Sequence, residues 1–280
     1  MSDTIAIDNV SFVGRTLSRN LVVQCHYSKV MPRITKAFIG GWKDNKLVAT
    51  MTLGYGTRPR HTIEGMFPSL GVNDYFEIGK LCVSDEMPRN TESNFISRAI
   101  TLLKKEYPDV KILFSWADGI LGRPGFVYQA SNFYYGGFIV TEIYINQDGI
   151  KIHPRTVQGL TARNGEKRGP RDYETTNAIG LTKYWGKQFR YVYPLCGKRE
   201  WKRLCDESPM QWKRGCYPKD VDCTWEKQVR IGERVSCGMP PFIAGEYVKK
   251  QNTQQLMLDM GIPNNIRTQL SSPLLSDFQK

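Results

Sequence analysis

The chain has 280 residues, of which 40% are hydrophobic and 11% aromatic, so it can bury a core of ordinary size. No apolar run reaches the roughly eighteen residues of a transmembrane helix, and the first residues lack the basic and apolar parts of a signal peptide, so we expect a cytoplasmic protein. The formal net charge of +12 lies mostly in residues 151–280, where 23 Lys and Arg accompany 13 Asp and Glu, and this excess predicts a polyanionic partner such as DNA.

The N-terminal part offers one strand and one polar cluster. Residues 1–20 predict an edge strand that leads into the segment 18–23, and they show no catalytic chemistry. Next, His26, Tyr27 and Ser28 place an imidazole, a phenol and a hydroxyl together just before a Met-Pro pair. Considered alone, these residues favour a helix end that packs on the core and leaves His26 exposed.

Two strand-like runs follow, over residues 37–42 and 46–56, and Asp44 and Asn45 between them suit a hairpin turn. Residues 54–61, at the end of the second run, form a glycine-rich segment that can contact phosphate, either of a cofactor or of DNA, although an ordinary loop explains the segment equally well. The arginines of this segment are Arg58 and Arg60.

The stretch between residues 75 and 145 alternates strand and helix patterns. Apolar residues recur at period two in the first strand and at three- and four-residue spacing in the long helix, where Asn90 or Thr91 can provide the N-cap. The predicted elements are a strand over 75–83, a helix over 93–105, a buried strand over 111–117, a short helix over 126–132 and a strand over 138–145. We expect the buried strand to be central and to lie beside the first one in a mixed sheet.

Two polar residues, Ser115 and Asp118, stand at the C-terminal end of this buried strand. In open α/β sheets, ligands usually bind at the edge where strands lead into loops. We therefore expect the reacting groups to gather there.

Beyond residue 150 the chain is basic and aromatic rather than periodic. Residues 159–172 predict a flexible basic loop, and basic and aromatic residues interleave over 183–193, which suits stacking on bases and contacts with phosphate. A core strand explains 183–193 equally well, and a solvated face is the alternative for a basic helix over 198–204. Three tryptophans beside Lys-Arg pairs favour DNA, and residues 241–280 predict a weakly ordered extension. These tryptophans are Trp201, Trp212 and Trp225.

Seven cysteines are scattered through the chain without a Cys-x-x-Cys pair. Five of them follow one another at gaps of 9, 11, 7 and 14 residues, which do not match the close pairs of structural zinc modules. We therefore expect reduced thiols and assign no metal ligands among them. The five are Cys196, Cys205, Cys216, Cys223 and Cys237.

The order of motifs in the central stretch resembles known families. Strand, helix, strand, short helix and strand are similar to the second half of the GNAT acyltransferase fold. A second resemblance, to the phage Mom family of DNA-modifying proteins, covers residues 20–145 and lies in several motifs in the right order. These motifs are EIGKL at 77–81, NTES at 90–93, SWAD at 115–118, GFVYQASNF at 125–133 and YGG at 135–137.

The resemblance implies a phage-encoded, GNAT-like enzyme that converts adenine in DNA to an N6-carbamoylmethyl derivative and so evades host restriction. The implied fold class is α+β, with a GNAT-like central mixed sheet flanked by helices. DNA is the implied partner and the host cytoplasm the implied location, while the oligomeric state stays open between monomer and homodimer. We predict a catalytic core over 1–150, a basic aromatic extension over 151–240 that completes the fold and contacts DNA, and a tail over 241–280.

The resemblance also implies roles for single residues. A His-Tyr pair of the family matches His26, a candidate base or metal ligand, and Tyr27, a candidate proton donor or acceptor. The other expected catalytic residues are Asp118, Tyr128 and Ser115. Binding of the donor is expected of Lys80, Arg89, Asn90, Ser93 and Asn132. DNA binding is expected of Arg58, Arg60, Arg123, Lys183, Trp185, Lys187, Arg190, Lys198, Arg199, Lys202 and Arg203.

The sequence departs from ordinary GNAT enzymes in the segment that binds the donor in those enzymes. Those enzymes bind the pyrophosphate of coenzyme A with an Arg/Gln-x-x-Gly-x-Gly/Ala loop at a helix N-terminus, whereas residues 87–93 read MPRNTES. The donor therefore stays unknown, with acetyl-CoA or a related compound and a metal ion both open. Two rival functions follow: a CoA-dependent N-acyltransferase for a protein, a small amine or a modified base, and a non-catalytic DNA-binding protein on the same scaffold.

Overall fold

The first hairpin forms where the turn residues predict it. Strands β2 (Thr35–Lys43) and β3 (Lys46–Gly54) pair antiparallel, and Asp44 and Asn45 connect them with φ angles of 48° and 61°. Asn and Asp tolerate this left-handed conformation, which matches the twist of a hairpin. The computed structural model that contains these strands describes residues 7–162, 166 and 168–241. Except for residue 241, the predicted tail lies outside the described residues.

The other elements alternate along the chain as an α+β protein requires. The remaining strands are β1 (Asn9–Phe12), β4 (Tyr75–Val83), β5 (Ile112–Ala117), β6 (Tyr134–Ile145), β7 (Lys151–Ile152), β8 (Thr182–Pro194), β9 (Trp225–Arg230) and β10 (Glu233–Cys237). The helices are α1 (Arg15–Cys25), α2 (Pro59–Met66), α3 (Thr91–Glu106), α4 (Phe126–Ala130), α5 (Pro154–Leu160), α6 (Tyr173–Ala178) and α7 (Lys198–Glu207). No helix among the described residues is both long and apolar enough to cross a membrane.

The chain folds into two compact units that each combine distant segments. Unit 1 contains the described residues among 1–119, 123–139 and 188–222, and unit 2 contains those among 120–122, 140–187 and 223–280. The predicted boundaries at residues 150 and 240 stay predictions.

A mixed sheet forms the centre of unit 1. β1, β2, β3 and β4 pair antiparallel in sequence order, β4 and β5 pair parallel, and β5 pairs antiparallel with residues 189–194 of β8. Five of the six residues of β5 are buried, as expected of a central strand. The predicted α+β class, the mixed sheet and the neighbouring positions of β4 and β5 are confirmed.

Helix α3 covers this sheet with the apolar face that its periodicity predicts. Its buried apolar residues are Phe95, Ile96, Ala99, Ile100 and Leu103. The predicted side-chain cap is wrong, because Asn90 occupies the N-cap position in the left-handed conformation and makes no capping hydrogen bond. The Thr91 hydroxyl instead donates to the Pro88 carbonyl at 2.7 Å.

A second apolar cluster of unit 1 joins α2, α7 and the loops beside them. The ring of Phe67 lies 5.8 Å from Trp201 and 5.2 Å from Trp212 between centroids, and Trp201 is buried. The prediction of a DNA surface is therefore wrong for Trp201 and stays a prediction for Trp212, which is partly exposed. Their large apolar area covers the core, while the basic residues of α7 face solvent.

Unit 2 has its own strands and its own core. Residues 184–186 of β8 pair with β9, β9 pairs with β10, and the end of β6 pairs with β7. Its apolar cluster contains Tyr144, Ile152, Val157, Leu160, Ile179 and Leu181. The predicted flexible loop begins too early, because residues 159 and 160 belong to α5 and Leu160 is buried. The third tryptophan, Trp225, is partly buried here and donates its indole N–H to the Ile120 carbonyl at 3.0 Å.

Candidate active site

The carboxylate of Asp118, directly after β5, is the centre of a hydrogen-bonded cluster in unit 1. The Tyr27 hydroxyl donates to its Oδ2 at 2.7 Å, and the Gln188 amide donates to its Oδ1 at 2.8 Å. Tyr27 lies 91 positions and Gln188 70 positions from Asp118 along the chain. Because each oxygen accepts a bond from a different segment, the orientation of the carboxyl group is fixed. Gln188 was not among the predicted site residues.

The end of α1 positions Tyr27. His26 follows the helix with extended backbone angles, and its Nδ1 accepts the backbone N–H of Ser28 at 2.8 Å. Its ring stacks on the Tyr27 ring with centroids 4.3 Å apart. His26 is only 9% exposed, so the alternative of an exposed histidine is wrong.

His26 is neutral in this environment. Burial, followed by the nearby charge of Lys80, lowers its pKa to about 3. Because Nδ1 already accepts a hydrogen bond, the neutral ring carries its proton on Nε2. A group with this pKa is a weak proton acceptor, which argues against the expected role of a base. The geometry favours a positioning role, in which the imidazole holds the phenol ring of Tyr27.

Tyr27 keeps its proton at neutral pH and lies between two cations. Burial and the adjacent Asp118 raise its pKa well above 10. The guanidinium of Arg123 lies 4.4 Å from the centroid of its ring, and Lys80 Nζ lies 6.0 Å from it. Both distances are in the range of cation–π attraction. The structure thus places Lys80 beside Tyr27 rather than in the groove that holds other predicted donor-binding residues.

Ser115 and Tyr128 form a second hydrogen-bonded pair, near enough to Asp118 for its charge to act on Tyr128. Their hydroxyl oxygens are 2.7 Å apart, and burial raises the pKa of Tyr128 to about 12. Helix α4 brings Tyr128 this close, and the residue that precedes the helix must be glycine for two reasons. Gly125 has a φ of 95°, and a Cβ at this position would lie 2.6 Å from the Tyr191 ring. All five predicted catalytic residues therefore belong to one cluster of unit 1.

Glu77 on β4 adds a carboxyl group whose chemistry the sequence did not reveal. Burial raises its pKa to about 7, so it exchanges its proton near neutral pH. Its charge raises the pKa of Tyr128, as does that of Asp118. A carboxyl with such a pKa in a cluster of catalytic groups is a candidate proton acceptor or donor. In the sequence Glu77 is one of the polar residues that alternate with apolar ones in a half-buried strand, a position that predicts a structural residue.

A groove of about 530 Å³ runs along α3 and past the end of α4. It brings together three of the five residues predicted to bind the donor, whereas Arg89 is exposed and does not line it. The groove is mostly polar, with Lys104 as its cation. The three predicted residues in its wall are Asn90, Ser93 and Asn132.

The wall of this groove fits an extended polar donor. Asn94 lines the groove, and its side-chain oxygen is buried without a hydrogen-bond partner among the described residues. In the first turn of α3 the Thr91 N–H donates to the Pro88 carbonyl at 3.3 Å, and no side chain of the N-cap residue caps the N–H groups that follow, where an anion can bind. Within the described residues, no three His, Cys, Asp or Glu side chains stand close enough together to hold a metal ion.

Comparison with known proteins assigns the family. The model of the Mom protein family matches residues 9–219. The chain belongs to the Mom family. It is 32% identical over 212 residues to the methylcarbamoylase Mom of Escherichia phage Mu, a match that covers 75% of this chain and 83% of that protein. The family resemblance inferred from the motifs is thereby confirmed.

Similar solved structures are acetyltransferases. A probable acetyltransferase from Staphylococcus epidermidis matches 66% of this chain and 98% of its own, with 12% identity and a TM-score of 0.36. The aminoglycoside 6'-N-acetyltransferase from Enterococcus faecium matches 68% of this chain and 99% of its own, with 9% identity and a TM-score of 0.37.

The residues of unit 1 that were expected to bind DNA have unequal surroundings. Arg58 is exposed, and Arg60 forms an exposed ion pair with Glu64 at 2.7 Å. Arg123 is exposed above Tyr27. Arg190 donates to the Gly136 carbonyl at 2.6 Å, and burial lowers its pKa. Arg190 therefore uses a donor inside the unit, which favours a structural role.

The basic helix α7 is confirmed as a helix with an exposed charged face. Lys198 and Arg199 are exposed in its first turn. Lys202 and Arg203 pair with acidic residues one turn later, at 2.7 Å and 3.2 Å. Such exposed pairs contribute at most about 0.5 kcal/mol, so a phosphate can replace the acidic partner.

The predicted DNA-binding residues of unit 2 lie on β8. Lys183 forms an ion pair with Glu142 at 2.7 Å. The ring centroid of Trp185 lies 4.9 Å from Lys183 Nζ and 3.9 Å from the guanidinium carbon of Arg234. Lys187 is partly buried. The segment is a strand, and two cations lie within cation–π distance of the indole of Trp185. Stacking of a DNA base on the face that Arg234 contacts would require this arginine to move.

Proposed function

We propose that the chain is a DNA-modifying transferase that places a carbamoylmethyl group on N6 of adenine. The observation that carries the proposal is the 2.7 Å hydrogen bond between Tyr27 and Asp118, which joins two expected catalytic residues at the end of β5 in a member of the Mom family. The relative from phage Mu is named a methylcarbamoylase, and the same class of transfer is proposed for this chain.

Asp118 is the group that we assign to the acceptor amine. The exocyclic amine of adenine is a poor nucleophile because its lone pair is delocalised into the ring, so it must lose a proton as the carbon–nitrogen bond forms. Asp118 accepts that proton, and Gln188 and Tyr27 hold its carboxylate in place. When bound, the donor would supply the electrophilic carbon, and its bond to a leaving group would break as the bond to N6 forms, with the electron pair departing on the leaving group. Tyr27 remains a hydrogen-bond donor throughout, because its pKa is raised well above 10.

Lys80 and Arg123 supply positive charge around this centre. They lie 6.0 Å and 4.4 Å from the centroid of the Tyr27 ring, near enough to stabilise negative charge that develops on adenine or to hold a DNA phosphate. Arg123 is the exposed residue of the two, so we assign it the phosphate. Lys80 is partly buried, so we assign it the developing charge.

The groove along α3 is the proposed binding site of the donor. Asn90, Ser93 and Asn132 would hold it. Ser97→Trp should fill the groove and stop modification without weakening DNA binding. Glu92→Trp, on the same helix but outside the groove, is the matched control and should retain activity. Equal activity in both variants would place the donor elsewhere.

The proposed function is tested by analysing the DNA of a host that expresses the protein. That DNA is digested to nucleosides, and mass spectrometry compares the wild type with the Tyr27→Phe/Asp118→Asn double variant. The proposal expects a new deoxyadenosine derivative whose added mass matches a carbamoylmethyl group and which is absent from the variant. Unchanged nucleosides in the presence of folded wild-type protein would contradict it.

The same variants separate the two rival functions. A non-catalytic DNA-binding protein would bind DNA without altering any nucleoside, in the wild type as in the variant. A CoA-dependent acyltransferase would bind coenzyme A in a calorimetric titration and would leave DNA unmodified. The specific observation in favour of that rival is the uncapped first turn of α3 beside the groove.

A further inference from the structure

The loop between α1 and β2 exposes two branched aliphatic side chains beside the candidate active site. Val30 is 44% exposed and Ile34 is 52% exposed. Single apolar residues on a surface need no explanation. These two, however, alternate with basic residues of the same segment. The basic residues are Lys29, Arg33 and Lys36.

This loop is anchored close to Asp118. It begins at Tyr27, whose hydroxyl donates to Asp118. Farther along, Pro32 packs on Gly79 of β4, where a Cβ would stand 2.6 Å from Pro32 Cγ, and Gly79 directly precedes Lys80. The Thr35 hydroxyl also donates to the Pro32 carbonyl at 3.1 Å. The loop therefore leaves the catalytic cluster and crosses the strand that carries Lys80.

Chain geometry limits how far the two apolar residues can lie from the cluster. Three residues span at most about 11 Å, so the Cα of Val30 lies within that distance of the Cα of Tyr27. Ile34 lies within about 7 Å of Pro32 by the same reasoning. Both side chains are thus exposed in the loop that connects Tyr27 to β2.

The charge of the surrounding segment matches a DNA partner. Residues 9–43 contain six Lys and Arg and no Asp or Glu. A continuous segment without acidic residues attracts the phosphate backbone and releases its counterions. This local excess was hidden in the sequence by the nearly balanced charge of residues 1–150, which hold 16 basic and 14 acidic residues.

We propose that Val30 and Ile34 form a wedge that enters the base stack of duplex DNA and occupies the space left by the target adenine as it turns out toward Asp118. Proteins that unstack DNA commonly insert apolar side chains of this kind between base pairs while cations hold the backbone. The wedge explains how a base that is inaccessible in a duplex reaches the cluster. The inference rests on the proposed function, because it assumes that adenine in DNA is the substrate.

Base extrusion can be measured without any chemical step. Duplex oligonucleotides carry 2-aminopurine in place of the target adenine, and the set includes every combination of flanking bases. The fluorescence of 2-aminopurine rises when the base leaves the stack. With wild-type protein we expect a rise in at least one context. With Val30→Ala/Ile34→Ala we expect that rise to fall about tenfold, while affinity for the single strand stays within about twofold.

Two further variants make the test specific. Val221→Ala/Ile231→Ala removes the same atoms from a valine and an isoleucine that are 86% and 68% exposed elsewhere, and it should extrude the base like the wild type. Val30→Ile/Ile34→Leu keeps apolar bulk in the loop and should also extrude it. Thermal unfolding of each variant confirms that it is folded.

Three results would overturn the wedge: a full fluorescence rise with the loop double alanine variant, an equal loss with the matched control, or no rise with the wild type in any context. The proposed function is decided separately, by nucleoside mass spectrometry of host DNA. A modified adenine without extrusion from duplexes would retain that function and identify the single strand as its substrate, whereas extrusion without modification would retain the wedge alone.

Discussion

The end of β5 and the middle of β4 each place one carboxyl group in unit 1, and the two groups are held differently. Asp118 accepts hydrogen bonds from Tyr27 and Gln188, one on each oxygen. Glu77 packs against Gly56, and burial raises its pKa to about 7. Hydrogen bonds fix where a carboxylate points, whereas burial sets when it holds a proton. Asp118 is therefore the carboxyl group with a fixed orientation, which we call the positioned acceptor, and Glu77 is the carboxyl group that titrates near neutral pH.

The two carboxyl groups nevertheless act on a common neighbour. Charges on Asp118 and on Glu77 both raise the pKa of Tyr128, which shares a hydrogen bond with Ser115. Burial is the larger cause, and the pKa of about 12 keeps Tyr128 protonated at neutral pH. A proton that reaches Asp118 during the reaction would therefore remove one of the two negative charges that raise the pKa of Tyr128.

The largest expected effect comes from removing the positioned acceptor. Asp118→Asn keeps the shape of the side chain but cannot accept a proton, so the rate of DNA modification should fall by about a thousandfold. Nucleoside mass spectrometry over a time course measures this rate. Asp109→Asn changes an exposed aspartate of the same unit and is the matched control. Comparable rates for Asp118→Asn and wild type would remove Asp118 from the mechanism.

The second prediction concerns Glu77 and the free energy of unfolding. Its pKa is about 7 in the folded chain against 4.5 as the ordinary value, so the folded state holds a proton that the unfolded state loses. Stability should fall as the pH rises from about 4.5 to 7, by roughly 3 kcal/mol from this group. Glu77→Gln should remove that loss. Urea unfolding of both proteins between pH 5 and 8 measures it, and parallel pH profiles would show that Glu77 is solvated.

Much of this geometry follows from patterns in the sequence, and its failures have physical causes. The strand before Asp118 was predictable from its short apolar run and helix α3 from its periodicity, because both patterns are local. The partner Gln188 was not, because only the pairing of β5 with β8 brings it to the site. Trp201 was misread because a Lys-Arg pair beside it fits a DNA surface, whereas in the fold its ring packs on Phe67.

The burial of His26 predicts a pH dependence of the opposite sign. Its pKa of about 3 lies below the ordinary value of 6.5, so below pH 6.5 the unfolded chain takes up a proton that the folded chain does not. Stability should fall by about 2 kcal/mol between pH 6.5 and 5 from this group. His26→Asn should remove the contribution of this group to the slope. His61→Asn, at an exposed position of unit 1, is the control, and an unchanged profile for His26→Asn would mean that water reaches the imidazole.

The smallest effect is expected from the second hydrogen bond to Asp118. Gln188→Leu removes the donor to Oδ1 while Tyr27 still holds Oδ2. Losing one of two such bonds should lower the modification rate about tenfold, because the carboxylate can then rotate away from the adenine amine. Gln228→Leu on β9 is the matched control. A loss as large as that of Asp118→Asn would mean that Tyr27 alone cannot hold the carboxylate, so that the positioned acceptor depends on β8 as much as on α1.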